Sequence, residues 1–139
     1  MSEIKIDRAL ERAAAMALAP LPIATEGNPF TPPNGPWAQF TNLRAGADVV
    51  SLGVGGQDEH RGVYQIDVSV PESSAQPRPE LLGRADALRA VFVAGRVLTH
   101  EGQRVRVRSA DVSQIRRVDG WLRVSVSVNY SAFTTRPEV

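Results

Sequence analysis

Gln103–Phe133 reads QRVRVRSADVSQIRRVDGWLRVSVSVNYSAF, and the fold turns on how these residues pair. Two β-type runs flank Asp119-Gly120. Asp and Gly both tolerate the positive φ of a type I′ turn, whose twist matches that of the strands it joins. The second run alternates: Leu122, Val124, Val126, Val128 and Tyr130 on one face, Arg123, Ser125, Ser127 and Asn129 on the other. That is the pattern of a half-buried antiparallel strand. A two-residue loop sets Val118 opposite Trp121 and Ile115 opposite Val124. Continued without a break, the register keeps Val105 and Val107 inside but points Ala110 and Val112 at water. One extra residue swaps faces, so a bulge or bend is expected between Arg108 and Ser113, near Ala110. Arg104, Arg106 and Arg108 then line the outer face.

Working outward, Glu3–Ala19 has the spacing of a helix, with Ser2 as N-cap, Glu3 and Asp7 at the positive end of its dipole, and Ile6, Leu10, Ala13, Met16 and Ala17 as its packing side. Residues 20–36 hold six of the ten prolines and form an extended segment pinned to the core by Phe30. Trp37–Leu43 is a first strand with two mixed faces. Arg44–His60 is a flexible glycine-rich loop or arm that includes Val49, Val50, Leu52 and Val54. Arg61–Val70 is a second strand. Glu80–Val93 is a second helix with a Leu81, Ala85, Leu88, Phe92 stripe. Arg96–Gly102 reads as a link to the hairpin at 103–133. The expected architecture is a single α+β domain over 1–139, a mostly antiparallel or mixed four-stranded sheet with two helices on one face, in the order α-β-β-α-β-β.

Composition narrows the chemistry. A chain of 139 residues buries roughly 68–70% of its unfolded surface and needs no disulfide or metal to fold. With no cysteine, a thiolate site or nucleophile is excluded. No apolar run approaches the ~20 residues of a membrane span. The Gly53–Gln57 run, GVGGQ, lacks the Lys and the following helix of a phosphate loop. Asp58, Glu59 and His60 are adjacent on an extended chain and cannot converge on one ion; His100 beside Glu101 reads the same way. Asp67 and Asp111 are acids within strands, but neither has a specified partner. The expectation is no catalysis, no cofactor and no metal. Net charge is +1, yet residues 103–123 carry six Arg (Arg104, Arg106, Arg108, Arg116, Arg117 and Arg123) against two Asp. This strand face is a candidate interaction surface for phosphate or acidic protein; without interleaved aromatics it is not a base-reading one. Val49, Val50 and Leu52 are the apolar counterpart.

Taken in order, the N-terminal helix, NPFTPPNGPW at Asn28–Trp37, the glycine-containing loop, RGVYQIDVSVP at Arg61–Pro71, ADALRAVF at Ala85–Phe92 and DGWLRVSVSVNY at Asp119–Tyr130 resemble the tail-terminator, or tail-completion, proteins of long-tailed bacteriophages. The resemblance implies a structural virion subunit of the tail, present in the host cytoplasm during assembly. It implies a hexameric ring of copies of itself that caps the tail tube, stops its polymerisation and offers a surface for joining the head. The implied partners are the tail-tube protein and a head–tail joining protein, with DNA at most passing non-specifically through the ring and no membrane. Alternatives are another head–tail connector or neck component, or a non-catalytic binding module with a basic sheet face.

Overall fold

The computed structural model describes residues 3–136. Two helices, α1 (Glu3–Leu18) and α2 (Pro77–Val91), accompany seven strands among the described residues: β1 (Ile23–Thr25), β2 (Trp37–Val49), β3 (Gln57–Pro71), β4 (Val97–His100), β5 (Gln103–Val112), β6 (Arg116–Val118) and β7 (Trp121–Thr135). They form one curled mixed sheet in the order β1-β2-β3-β7-β5-β4, with β6 continuing beside β7. The four-stranded α-β-β-α-β-β arrangement is therefore corrected: the chain is mostly β, with strands that local pattern does not reveal. β1 is three residues in the proline-rich segment and runs parallel to β2. β4 lies in the supposed link and joins β5 through Glu101-Gly102, both at positive φ. Glu is an unusual residue for that turn, so the signal is weak in sequence. Arg44–His60 is ladder at both ends, pairing out to Val49↔Asp58, which leaves 50–56 as the loop. The proposed N-cap Ser2 lies outside the described residues.

β3 and β7 are the centre. They pair without interruption from Gln57↔Thr135 to Pro71↔Trp121. Tyr64, Ile66, Val68 and Val70 lie beside Val124, Val126, Val128 and Tyr130 on one face, all buried. α1 covers this face with Ile6, Leu10, Ala14 and Leu18, and α2 with Leu81, Ala85 and Leu88, followed by Phe92. Each fully buried Leu, Ile or Phe among them contributes roughly 1.5–3 kcal/mol relative to exposure. α1 thus turns slightly from its expected side: Ala9 and Leu18 are inside, while Met16 is 79% exposed.

β5 reaches this core by two register slips rather than one. Val118 pairs with Trp121, as the Asp119-Gly120 turn requires. Val112 pairs with Val126 instead of the Ser127 that an unbroken register would give. The first slip falls in 113–115, where Ser113 N–H donates to the Ser125 carbonyl at 2.9 Å and Ser125 N–H donates to Ser113 Oγ at 2.9 Å. The second falls at Arg108, between Val107↔Tyr130 and Ser109↔Asn129, two residues before Ala110. A single slip turns either Ala110 and Val112 or Val105 and Val107 outward; two keep all four towards the core.

Tyr130 locks the upper end of the core. Its hydroxyl donates to Asn42 Oδ1 at 2.7 Å, and Asn42 Nδ2 donates to Asp7 Oδ1 of α1 at 3.1 Å. The ring lies over Gly62, where a Cβ would meet Tyr130 Oη at 2.7 Å and the Leu43 carbonyl at 2.9 Å. At the other end and on the opposite face, Phe30 packs 5.1 Å from Trp37, and Trp121 meets Trp37 edge-on at 6.1 Å. This pins the proline-rich segment to the sheet.

Gly62→Ala should accordingly cost about 1–3 kcal/mol, the range for overpacking a well-filled site. Gly35→Ala, where a Cβ meets nothing within 4 Å, serves as the control. Urea denaturation of the two variants checks this. The chain's only two tyrosines, Tyr64 and Tyr130, are both buried. Burial pushes the Tyr64 phenol up, reinforced by the charges of Asp7, Glu11 and Glu26. Burial also raises Tyr130, partly offset by the Asn42 hydrogen bond and Arg44. A folded pKa above the unfolded value of about 10 gives stability that is complete below that pH and is lost as pH rises through the folded pKa. In an alkaline titration, tyrosinate absorbance should appear only as near-ultraviolet circular dichroism collapses. Ionisation in a still-folded chain contradicts this.

Candidate interaction surfaces

The first surface is the arm formed by the far ends of β2 and β3. Its pairing shifts register at a bulge between Arg44 and Gly46 and then continues to Val49↔Asp58. At its base, on the helix side, Glu3 of α1 receives Arg44 Nε at 3.1 Å and His60 Nδ1 at 2.6 Å, while His60 Nε2 lies 2.8 Å from Thr134 Oγ1. At its tip, Arg136 closes the loop. Its backbone N–H donates to the Gly56 carbonyl at 2.8 Å, its Nε donates to the Gly53 carbonyl at 3.1 Å, and its guanidinium also meets Ser51 O and the Asp58 carboxylate. Ser51 Oγ accepts the Gln57 N–H at 2.8 Å. The tip is therefore built, yet Leu52 is 89% and Val54 67% exposed, with Val49 and Val50 also open to solvent. Contiguous exposed apolar side chains on a defined scaffold are characteristic of contact surfaces.

The second surface is the outer face of β5, β6 and β7, where the six arginines do not act alike. Arg108 donates to Ser131 Oγ at 2.9 Å and pairs with Glu59 at 3.3 Å. Arg116 donates to Ser125 Oγ at 2.8 Å and lies 3.9 Å from Asp67. Asp67 is buried and also accepts from Ser125 Oγ and, at 3.1 Å, from Gln65 Nε2. Arg117 pairs with Glu72. Arg123 donates to Ser69 Oγ at 3.0 Å and stacks 5.6 Å from the centre of the Trp37 ring. All four side chains are engaged within the molecule, three of them with carboxylates, mostly on a polar sheet face whose Ser69 and Ser131 are themselves buried. Arg104 and Arg106 form no ion pair among the described residues. Both line a groove of about 630 Å³ with Lys5, Glu101 and the half-exposed Phe133, at the β4–β5 side of the sheet. The sequence pattern places the six arginines together but cannot tell the neutralised ones from the open ones, because the neutralising partners Glu59, Asp67 and Glu72 lie far along the chain.

A second groove, of about 430 Å³, lies at the β1–β2 side. It is lined by Glu3, Asp7, Glu11 and Glu26 against Arg8 and Arg44. Sequence reading does not find it, since its carboxylates come from α1 and from the end of β1.

The acids weighed for a metal site diverge. Asp58 meets Arg136, Glu59 meets Arg61 and Arg108, and His60 turns to Glu3. Among the described residues no group of three or more His, Asp or Glu could hold a metal ion, and no helix is long and apolar enough to cross a membrane.

Comparison with known proteins agrees with the sequence resemblance. A solved structure that carries no functional name is 29% identical, with a TM-score of 0.66 over 94% of this chain and 98% of that one. A chain from the virion of a native gene transfer agent particle is 17% identical, with a TM-score of 0.48 over 94% of this chain and 93% of that one. No curated protein matches. The family model described as phage tail terminator protein matches residues 5–130, nearly the whole of the described chain, and the chain belongs to that family, whose members are structural proteins of the virion.

Proposed function

We propose that copies of this chain form a ring, six-membered as the family resemblance implies, that caps the finished tail tube, stops its polymerisation and presents the surface to which the head is joined. The observation that carries this reading is the arm. A fold whose core is already complete has no use of its own for Val49, Val50, Leu52 and Val54 on a braced hairpin. Their exposure makes sense if another subunit or the tail tube covers them. The partners are thus the chain itself, the tail-tube protein and a head–tail joining protein. DNA meets the ring at most as a passing polyanion, without base readout. The chain works in the tail, after a period in the host cytoplasm while tails are built. No catalytic step is assigned to it.

Sedimentation of the purified protein, alone and with tail tubes, should reveal a species several-fold heavier than the 15.0 kDa subunit. Leu52→Asp with Val54→Asp should leave stability within about 0.5 kcal/mol, as surface changes do. The same variant should produce tails of uncontrolled length without heads in electron micrographs of infected cells. Normal tails from a variant with both charges overturn the role given to the arm.

A further inference from the structure

The two grooves flank α1 at opposite sides of the sheet, and their charges are opposite. On the β4–β5 side, Lys5, Arg104 and Arg106 face only Glu101, an excess of two positive charges. On the β1–β2 side, four carboxylates face Arg8 and Arg44, an excess of two negative charges. Lys5, Arg104, Arg106 and Glu11 enter no ion pair among the described residues, and Glu26 spends one oxygen on the Asn42 N–H at 2.8 Å. The phenol of Tyr64, which lines the acidic groove, is raised first by burial and then by the charges of Asp7, Glu11 and Glu26. Beside that groove, β2 is paired by β1 only at Ala38–Phe40, which leaves Leu43–Val49 without a strand on its outer side among the described residues.

A single chain that carries complementary patches on two different sides forms heterologous, head-to-tail contacts, and those close into rings when the rotation allows. We propose that the basic groove of one copy, through Arg104 and Arg106, receives the acidic flank of α1 of the next copy, centred on Glu11 and Glu26, and that this pair is the repeating contact between subunits. The inference rests on the ring reading above and names the faces that meet. Charge pairing of this kind fixes partner and register and quickens encounter more than it adds affinity. It also provides a reason for the uneven use of the arginines: four engage partners within the chain, and the two that line the basic groove remain for a neighbour.

The test uses charge reversal on residues that hold nothing within the chain. Arg104→Glu with Arg106→Glu is one variant and Glu11→Lys is the other. Each alone should lose the heavy species or lower its association constant at least about tenfold, roughly the effect of one mismatched charge pair. Mixed in equal amounts, or combined in one chain, they should recover it, which no misfolded variant can do. A second measurement needs no stable ring. The chain has no cysteine, so Arg104→Cys in one sample and Glu26→Cys in another report the contact by disulfide formation on mixing, against Arg104→Cys with Asp86→Cys as control. A cross-link in the first mixture only supports the pairing. Rings that persist in both reversal variants overturn the pairing while the ring reading stands. A wild type that does not assemble with tail tubes, together with no cross-link between Arg104→Cys and Glu26→Cys, overturns both.

Discussion

The long pairing of β3 with β7 is the constraint to which everything else in this molecule adjusts. Fifteen consecutive residue pairs join them with no slip. Because side chains alternate strictly across a strand, that ladder fixes which half of every neighbouring strand must be apolar. β2 and β5 cannot follow so long and twisted a centre without correction. β2 takes one extra residue beside Gly46, and β5 takes one at Arg108 and another across 113–115. On β2 the irregularity lies at the start of the arm; on β5 the one at Arg108 lies between the fully buried Val105 and Val107 and the partly buried Ala110 and Val112, all packed against one core.

The two faces of this ladder are stabilised differently. The helix side is hydrophobic burial, with the polar chain Tyr130–Asn42–Asp7 tying sheet to helix where Tyr130 is buried. The outer side buries Asp67, Ser69, Ser125 and Ser131. A buried carboxylate is tolerable only with donors around it, and Asp67 has Gln65, Ser125 and Arg116. Exposed ion pairs contribute about 0–1 kcal/mol each, so arginines such as Arg117 matter less for stability than for the net charge they remove from the surface. Electrostatics on this face decides what the molecule can attract rather than whether it folds.

The period-two run of β7, the Asp119-Gly120 turn, both helices and the need for an irregularity in β5 were legible from residue pattern, since each is a local matter of side-chain alternation or backbone φ. β1, β4 and the outer half of β2 were not. β1 is held by its neighbour at Ala38–Phe40 and by the pinned Phe30, not by its own three residues. The glycines of Arg44–His60 suggested a loop because strands disfavour them, but Gly46 occupies a bulge, a place where a strand accepts glycine. For the surface, the pattern located the six arginines and the apolar Val49, Val50 and Leu52. It could not find the acidic groove, assembled from α1 and the end of β1, nor the role of Arg136, which reaches back to a loop some eighty residues earlier.

Arg136 and Glu3 together explain why an exposed apolar hairpin can be useful rather than a liability. Immobilising a flexible loop at the moment of contact costs about 0.5–1.5 kcal/mol per rotamer-rich side chain. Here the tip is already fixed by Arg136 on Gly53, Gly56 and Asp58, and the base by Glu3 on Arg44 and His60. The ordering cost is met during folding, so contacts made by Leu52 and Val54 go almost entirely into association. The same bracing ties the arm to α1, whose flanks carry both charged grooves. A force on the arm from a docked neighbour therefore acts on the helix that positions Lys5 on one side and Glu11 on the other. In the proposed ring, apolar docking at the tip and charge pairing at the grooves would then be parts of one contact rather than two independent ones.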